Sequence, residues 1–153
     1  MPSRGELCVQ GLVALADAVG KPTGLVVHRN RAMPLDQSAH PSLVVYSTPA
    51  SGAVGERVRR IDHDADSAER TLYVRAEIRC RGRNAAQLEL DADTIYVWLV
   101  RQWASDSALS ALAEDIRELS GSIEVQYLEE LYLQRYVDFE IDYLTQVADP
   151  EAA

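Results

Sequence analysis

The chain has 153 residues, 47% hydrophobic and 25% charged, which predicts one globular domain with a sizeable core and no membrane-spanning segment. The net charge of −9 is uneven: residues 1–105 carry 13 Lys/Arg against 12 Asp/Glu, and residues 106–153 carry 2 against 12. Because a nucleic-acid-binding protein normally has a basic excess, this distribution argues against direct nucleic-acid recognition and favours a basic partner.

The first third of the chain predicts a helix followed by strands. An apolar stripe of helical period covers residues 7–19 and is ended by Gly20 and Pro22. "TGLVVHRN" predicts a first strand, "MPLDQSAHP" a loop, and "SLVVYST" a strand buried on both faces. The N-terminus lacks the apolar core of a signal peptide, so we expect folding in the cytoplasm, with Cys8 and Cys80 as reduced, buried thiols.

The middle of the chain predicts two strands and a second helix. "ERVRRIDHDADSAERTLYVRAEIRCRGR" divides into two strands joined by a loop at residues 62–68. The second strand alternates between an inward apolar row and an outward row, which consists of Tyr73, Arg75, Glu77, Arg79 and Arg81. Asn84 then caps a helix, with Gln87 completing a capping box. Its buried seam is predicted to be Leu88, Ala92, Ile95, Leu99 and Trp103.

The last third predicts a short helical turn at residues 107–113 and two strands. "SGSIEVQY" is the first strand, "LEELYL" a turn or bulged connection, and "RYVDFEIDYLT" the terminal strand. We therefore expect an α+β fold of order α-β-β-β-β-α-β-β, in which two helices back a mostly antiparallel sheet of about five to six strands. Residues 1–147 form the single domain, and residues 148–153 a frayed tail.

The sequence shows no catalytic, metal-binding or cofactor-binding signature. "DHDADS" alternates its acids as a calcium loop does, but Ser67 and Tyr73 stand where that loop needs Gly and Glu, which favours a solvated hairpin tip. His28, His40 and His63 lie in different segments without metal-ligand spacing. Neither a nucleophile elbow nor a glycine-rich phosphate loop is present. We expect a non-enzymatic protein without a cofactor or metal.

The terminal strand carries an acidic row on its outward face. Asp138, Glu140 and Asp142 follow one another at about 7 Å, and such equivalent carboxylates suit a surface better than acid–base catalysis. The row could be plain solvated surface. If its strand neighbours the one with Arg75 and Arg79, opposite charges pair across the sheet. Otherwise the basic row of one subunit could meet the acidic row of another. These five residues are the candidate interface.

The order of elements resembles the tail-terminator, or minor tail protein U-like, family of long-tailed bacteriophages. The resemblance covers residues 5–145 and has no diagnostic motif. It follows the N-terminal helix, "NRAMPLDQSAHPSLVVY", "RTLYVRAEIRCRG" and "AAQLELDADTIYVWL". The end of the chain matches best, with "LAEDIRELSGSIEVQY", an acidic turn and "QRYVDFEIDYLT".

The resemblance implies a non-enzymatic virion protein. Such a protein forms a ring, expected to be a hexamer, on the last tail-tube ring, ends tube growth and meets the head-completion proteins. It assembles in the host cytoplasm and resides at the head-proximal end of the tail. A head–tail neck protein would have a similar sequence. The alternative from another class is a small cytoplasmic α+β enzyme or ligand-binding domain, with a pocket lined by Tyr96, Trp98 and Trp103.

Overall fold

The residues that the structure describes form two helices and one six-stranded sheet. The structure, a computed structural model, describes residues 2–29, 40–47, 56–60, 67–104, 109, 111–127 and 130–146. The elements in chain order are α1 (Arg4–Ala16), β1 (Val26–Arg29), β2 (Ser42–Ser47), β3 (Glu56–Arg60), β4 (Ser67–Gly82), α2 (Ala85–Trp103), β5 (Asp115–Tyr127) and β6 (Leu131–Gln146). This is the predicted α+β fold, and its elements follow the predicted order.

The two long strands β4 and β6 form the centre of the sheet. All 16 residues of β4 pair with β6, in antiparallel orientation. The other edge of β4 is shared by two strands, β3 opposite residues 68–72 and β2 opposite residues 74–79. β1 pairs in parallel with β2, and β5 pairs antiparallel with β6. The order β1-β2-β4-β6-β5 therefore ends in β5 on one side, and in β1 and β3 on the other.

The helices begin at side-chain caps and bury one face each. Ser3 accepts a hydrogen bond from the Glu6 amide (3.2 Å), and Asn84 accepts one from the Gln87 amide (3.3 Å). The five residues predicted as the seam of α2 are all buried. The predicted extension of α1 to Val19 is wrong, since the helix ends at Ala16 and Val19 is fully exposed. Ala16 is the last buried residue of the helix, and Asp17 is its C-cap.

The core lies between the helices and one face of the sheet. α2 packs on β4 and β6, while α1 packs on α2, β1 and β2. Trp103 meets Phe139 edge to face, with 4.8 Å between ring centroids, and its indole N–H donates to the Leu12 carbonyl at 3.0 Å. The Trp98 indole N–H donates to the Ala16 carbonyl at 3.1 Å. Both tryptophans thus join α2 to α1 in the core layer.

An ion pair joins α1 to the sheet edge. The Arg29 guanidinium on β1 donates two hydrogen bonds to the Glu6 carboxylate, one of them 2.6 Å long. This pairing lowers the pKa of Glu6 to about 2. The Glu6 side chain is about one-third exposed, so solvent screens the pair and its contribution to stability is modest.

The last two strands are longer than predicted. β6 begins at Leu131, within the segment expected to be a turn, because Leu133 continues the inward row of Val137 and Phe139. β5 begins at Asp115 rather than Ser120, and it continues past an irregularity between Glu118 and Ser120. A β-bulge adds one residue and shifts the alternation, so a strict period of two hides such a strand.

Several predicted features lie wholly or partly outside the described residues. These features are the acidic string with His63, most of the predicted loop before Pro41, and the predicted tail at residues 148–153. Ser67 and Ala68, predicted as the end of the loop at residues 62–68, belong to β4. In the predicted turn at residues 107–113, the Leu112 and Ala113 amides donate to the Leu109 carbonyl at 2.7 and 2.8 Å.

Phe139 should be one of the largest single contributors to stability. Phe139→Ala removes the ring that packs on Trp103, and we expect it to lower the free energy of unfolding by about 3–5 kcal/mol. Val19→Ala is the control, because Val19 is fully exposed and should change stability by less than about 0.5 kcal/mol. Urea denaturation followed by tryptophan fluorescence measures both. Equal losses would contradict the observed packing.

Both cysteines should be unreactive in the folded protein. Cys8 and Cys80 are buried thiols that form no disulfide, as predicted, and burial raises the pKa of the Cys80 thiol to about 12. Because the thiolate is the reactive form, we expect negligible reaction with a thiol reagent at about pH 8 in the native state. Denaturant should release both thiols of the chain. Rapid native titration of either thiol would contradict this.

Candidate assembly surface

The sheet face opposite the helices carries charged pairs that span neighbouring strands. Arg75 on β4 lies directly opposite Asp138 on β6. Its guanidinium donates two hydrogen bonds to that carboxylate, at 2.7 and 3.0 Å, and lies 5.3 Å from the centroid of the Tyr136 ring. The bidentate contact with Asp138 raises the pKa of Arg75. Of the alternatives that the sequence left open, pairing across the sheet within one chain is therefore the one observed.

A second group of charges holds β5 against β6. Arg117 on β5 donates to Glu140, to Asp142 at 2.6 Å and to Asp115 at 2.7 Å. Thr71 on β4 donates to the other oxygen of Asp142 at 2.7 Å. The Glu140 and Asp142 carboxylates raise the pKa of Arg117. The acidic row thus binds groups on both neighbouring strands, and its members are neither equivalent nor simply solvated.

A buried polar network lies farther along the same face. Glu77 accepts hydrogen bonds from Arg79 at 2.6 Å, from Gln134 at 2.8 Å and from the Tyr46 hydroxyl at 3.4 Å. Glu77, Arg79 and Gln134 are only 6, 7 and 8% exposed, and burial raises the pKa of Tyr46. The prediction that Glu77 and Arg79 face outward is correct for the side of the sheet. An outward row also suggests that both side chains are solvated, and this is wrong, since both are buried. Alternation shows on which face of the sheet a side chain lies, but not whether other side chains cover it there.

The five predicted interface residues therefore differ in their surroundings. Arg75, Asp138, Glu140 and Asp142 belong to the cross-strand pairs, whereas Arg79 belongs to the buried network. All of them have partners in their own chain. A role for them between subunits stays a prediction, and such a contact would have to add to these pairs or replace them.

Sequence reasoning located the second half of the edge strand β5, but not its first residues or its exposure. The strand has 13 residues, about twice the usual strand length, and is exposed along nearly its whole length. Four of its large apolar side chains are exposed, namely Leu119 (49%), Ile123 (55%), Val125 (51%) and Tyr127 (76%). The sequence signal was the alternation in "SIEVQY", which predicts the strand but not that its apolar side is left uncovered.

The register shows on which face the apolar residues of β5 lie. Ile123, Val125 and Tyr127 pair with Arg135, Leu133 and Leu131, on the face that the helices cover elsewhere. Within the described part of the chain, β5 packs extensively only on β6. Its link to α2 is a side-chain contact, in which the Tyr96 hydroxyl donates to Glu118 at 2.9 Å. We call the row Ile123, Val125 and Tyr127 the β5 apolar row.

The aromatic residues considered for a small-molecule pocket have structural roles. Trp103 is buried against Phe139, and the Trp98 indole donates a hydrogen bond to the Ala16 carbonyl of α1. The Tyr96 ring lies 3.9 Å from the Arg135 guanidinium, in a cation–π contact. Among the residues that the structure describes, no three His, Cys, Asp or Glu side chains are grouped so that they could hold a metal ion. No helix in the described ranges is long and apolar enough to cross a membrane.

No model of a known protein family matches the chain, and no curated protein is significantly similar to it. The tail-terminator resemblance therefore depends on the order and spacing of its elements.

The buried network of Glu77 and Arg79 should be far more sensitive to substitution than the partly exposed pair of Arg75 and Asp138. Arg79→Met leaves the Glu77 carboxylate buried without its cation, and we expect a loss of about 3–5 kcal/mol in the free energy of unfolding. Arg75→Met makes the same change on the same strand and face, but its pair is partly solvated and should cost about 1 kcal/mol or less.

Chemical denaturation at constant pH and salt compares the two variants. In the double variant Glu77→Gln/Arg79→Met no uncompensated charge is buried, so it should recover much of the loss. Similar losses for Arg79→Met and Arg75→Met would show that the network is open to water.

Proposed function

We propose that the protein is a non-enzymatic structural subunit of a long-tailed phage, which forms a ring at the head-proximal end of the tail tube. There it stops tube growth and presents a surface to the head-completion proteins. The tail role comes from the resemblance in element order. The observation that supports assembly is the β5 strand, exposed on both faces at the edge of the sheet.

An edge strand of this kind favours association. Its outer edge carries backbone N–H and C=O groups that no strand of the described chain pairs. Proteins usually avoid long, flat, apolar edges, because such edges add further strands. Here the β5 apolar row adds three large side chains to that edge. An exposed apolar patch at an unpaired strand marks a protein–protein contact.

A closed ring is the assembly that suits this geometry. The two sides of the sheet differ, since β5 ends one side and the shorter β1 and β3 end the other. A contact between unlike edges is heterologous, and it closes into a ring when the rotation per subunit divides a full turn. The charge separation along the chain agrees with such a contact, because the acidic third contains β5.

A head–tail neck protein of the same particle is the second candidate, because it too would be a ring of non-enzymatic subunits. The β5 edge supports it equally. The two roles differ in what fails without the protein. Loss of a terminator leaves tube growth uncontrolled, whereas loss of a neck protein leaves tails of normal length that do not join heads.

Disrupting the gene in its phage genome tests the proposal. Electron microscopy of the particles should show tails of abnormal, variable length that lack a terminal ring. Supplying the intact protein should restore a uniform length. Glu89→Gln, on the exposed surface of α2, is the matched control and should restore it equally well. Tails of normal length joined to heads would overturn the tail role, and normal tails without heads would favour the neck role.

A further inference from the structure

We propose that the ring contact is a strand addition, in which the outer edge of β5 in one copy pairs with the outer edge of β3 in the next. The six-stranded sheet of each subunit would then continue into its neighbour. The inference deepens the proposed function, and it rests on that function only in taking the occupant of the β5 edge to be a second copy of the chain.

β3 is a fitting acceptor because one of its edges is also open. It pairs with β4 through all five of its residues, and no strand of the described chain pairs its opposite edge. Its sequence, "ERVRR", has three arginines and one glutamate. β5 has Asp115, Glu118 and Glu124 against Arg117. The two open edges therefore have opposite net charge.

The backbone register of both strands matches their chemistry face by face. In the backbone register, the positions of Arg57 and Arg59 pair with Thr71 and Glu69, which belong to the side of β4 away from the helices. On β5 that same face includes Glu124, which pairs with Gln134. The position of Val58 pairs with Arg70, on the side of the sheet that in β5 contains the apolar row. Pairing the edges in one continuous sheet aligns arginine with glutamate on one face and valine with the apolar row on the other.

Charge also argues against the symmetric alternative, in which β5 of one copy pairs with β5 of another. That arrangement would bring two acidic strands together, and like charges facing each other across a contact are unfavourable. An isologous pair also closes at two subunits. The β5–β3 contact joins unlike patches. A row of subunits joined in this way has a free β5 edge at one end and a free β3 edge at the other until the ring closes.

Charge reversal in two separate variants gives a test by mixing. Glu124→Arg makes the β5 edge basic and leaves β3 basic, whereas Arg59→Glu makes β3 less basic and leaves β5 acidic. Each variant alone should self-associate at least about tenfold more weakly than the wild type, because like charges then face each other. An equimolar mixture should regain most of the affinity, because each variant supplies the edge that the other lacks. Sedimentation velocity at low ionic strength, over a range of concentrations, measures this.

The matched control is Asp91→Arg, the same charge change on the exposed surface of α2, and it should associate as the wild type does. Thermal melting of each variant shows that it is folded, and an unfolded variant could not be rescued by mixing. If Glu124→Arg alone changes the association and Arg59→Glu behaves as the wild type, the contact involves β5 but not β3, which also overturns the inference. Normal association of both variants, no rescue on mixing, or a wild type that stays monomeric throughout would each overturn the inference.

The two proposals fail separately. Rescue by mixing, together with normal tails after gene disruption, would keep the strand addition and overturn the tail role. Abnormal tails after disruption, together with unimpaired association of both variants, would keep the tail role and place the ring contact elsewhere.

Discussion

The pairing of β4 with β6 over 16 residues is the constraint on which the rest of the structure depends. Residues 72–80 of β4 and 137–143 of β6 alternate, so the pairing joins two apolar rows on one face and two mainly polar rows on the other. The apolar face needs a cover, which α1 and α2 provide. The charged face needs its charges neutralised, and Arg75 with Asp138 does so through two hydrogen bonds between directly opposed residues. One register thus determines both the core and the polar face.

The width of the helical layer explains why β5 is left uncovered. A helix with its side chains is about 10 Å across, whereas neighbouring strands lie about 4.8 Å apart, so each helix covers roughly two strands. Two helices cover β1, β2, β4 and β6, which make contact with them. The strand beyond has no helix above it, and the β5 apolar row remains exposed. A two-helix layer on this sheet therefore leaves the helix-side face of β5 uncovered.

Because the central charges bind one another within the chain, the proposed ring contact is placed at the edges of the sheet. Arg75 and the acidic row bind each other or Arg117, and Arg79 is buried with Glu77. Breaking such contacts to make new ones between subunits would gain little. The open backbone groups of β5 and β3 have no comparable competitor in the described chain. An interface built on these edges adds interactions without exchanging existing ones.

Local patterns in the sequence were enough for the order of the elements, the buried seam of α2 and the inward rows of β4 and β6, because periodicity reports which side of an element is apolar. They were not enough for β5 from Asp115 onward, since a bulge interrupts its alternation. The end of α1 at Ala16 and the burial of Glu77 and Arg79 were likewise decided by tertiary packing. Which strands are neighbours is a long-range property: alternation determined that Arg75 and Asp138 both face away from the core, and only the pairing of β4 with β6 brought them together.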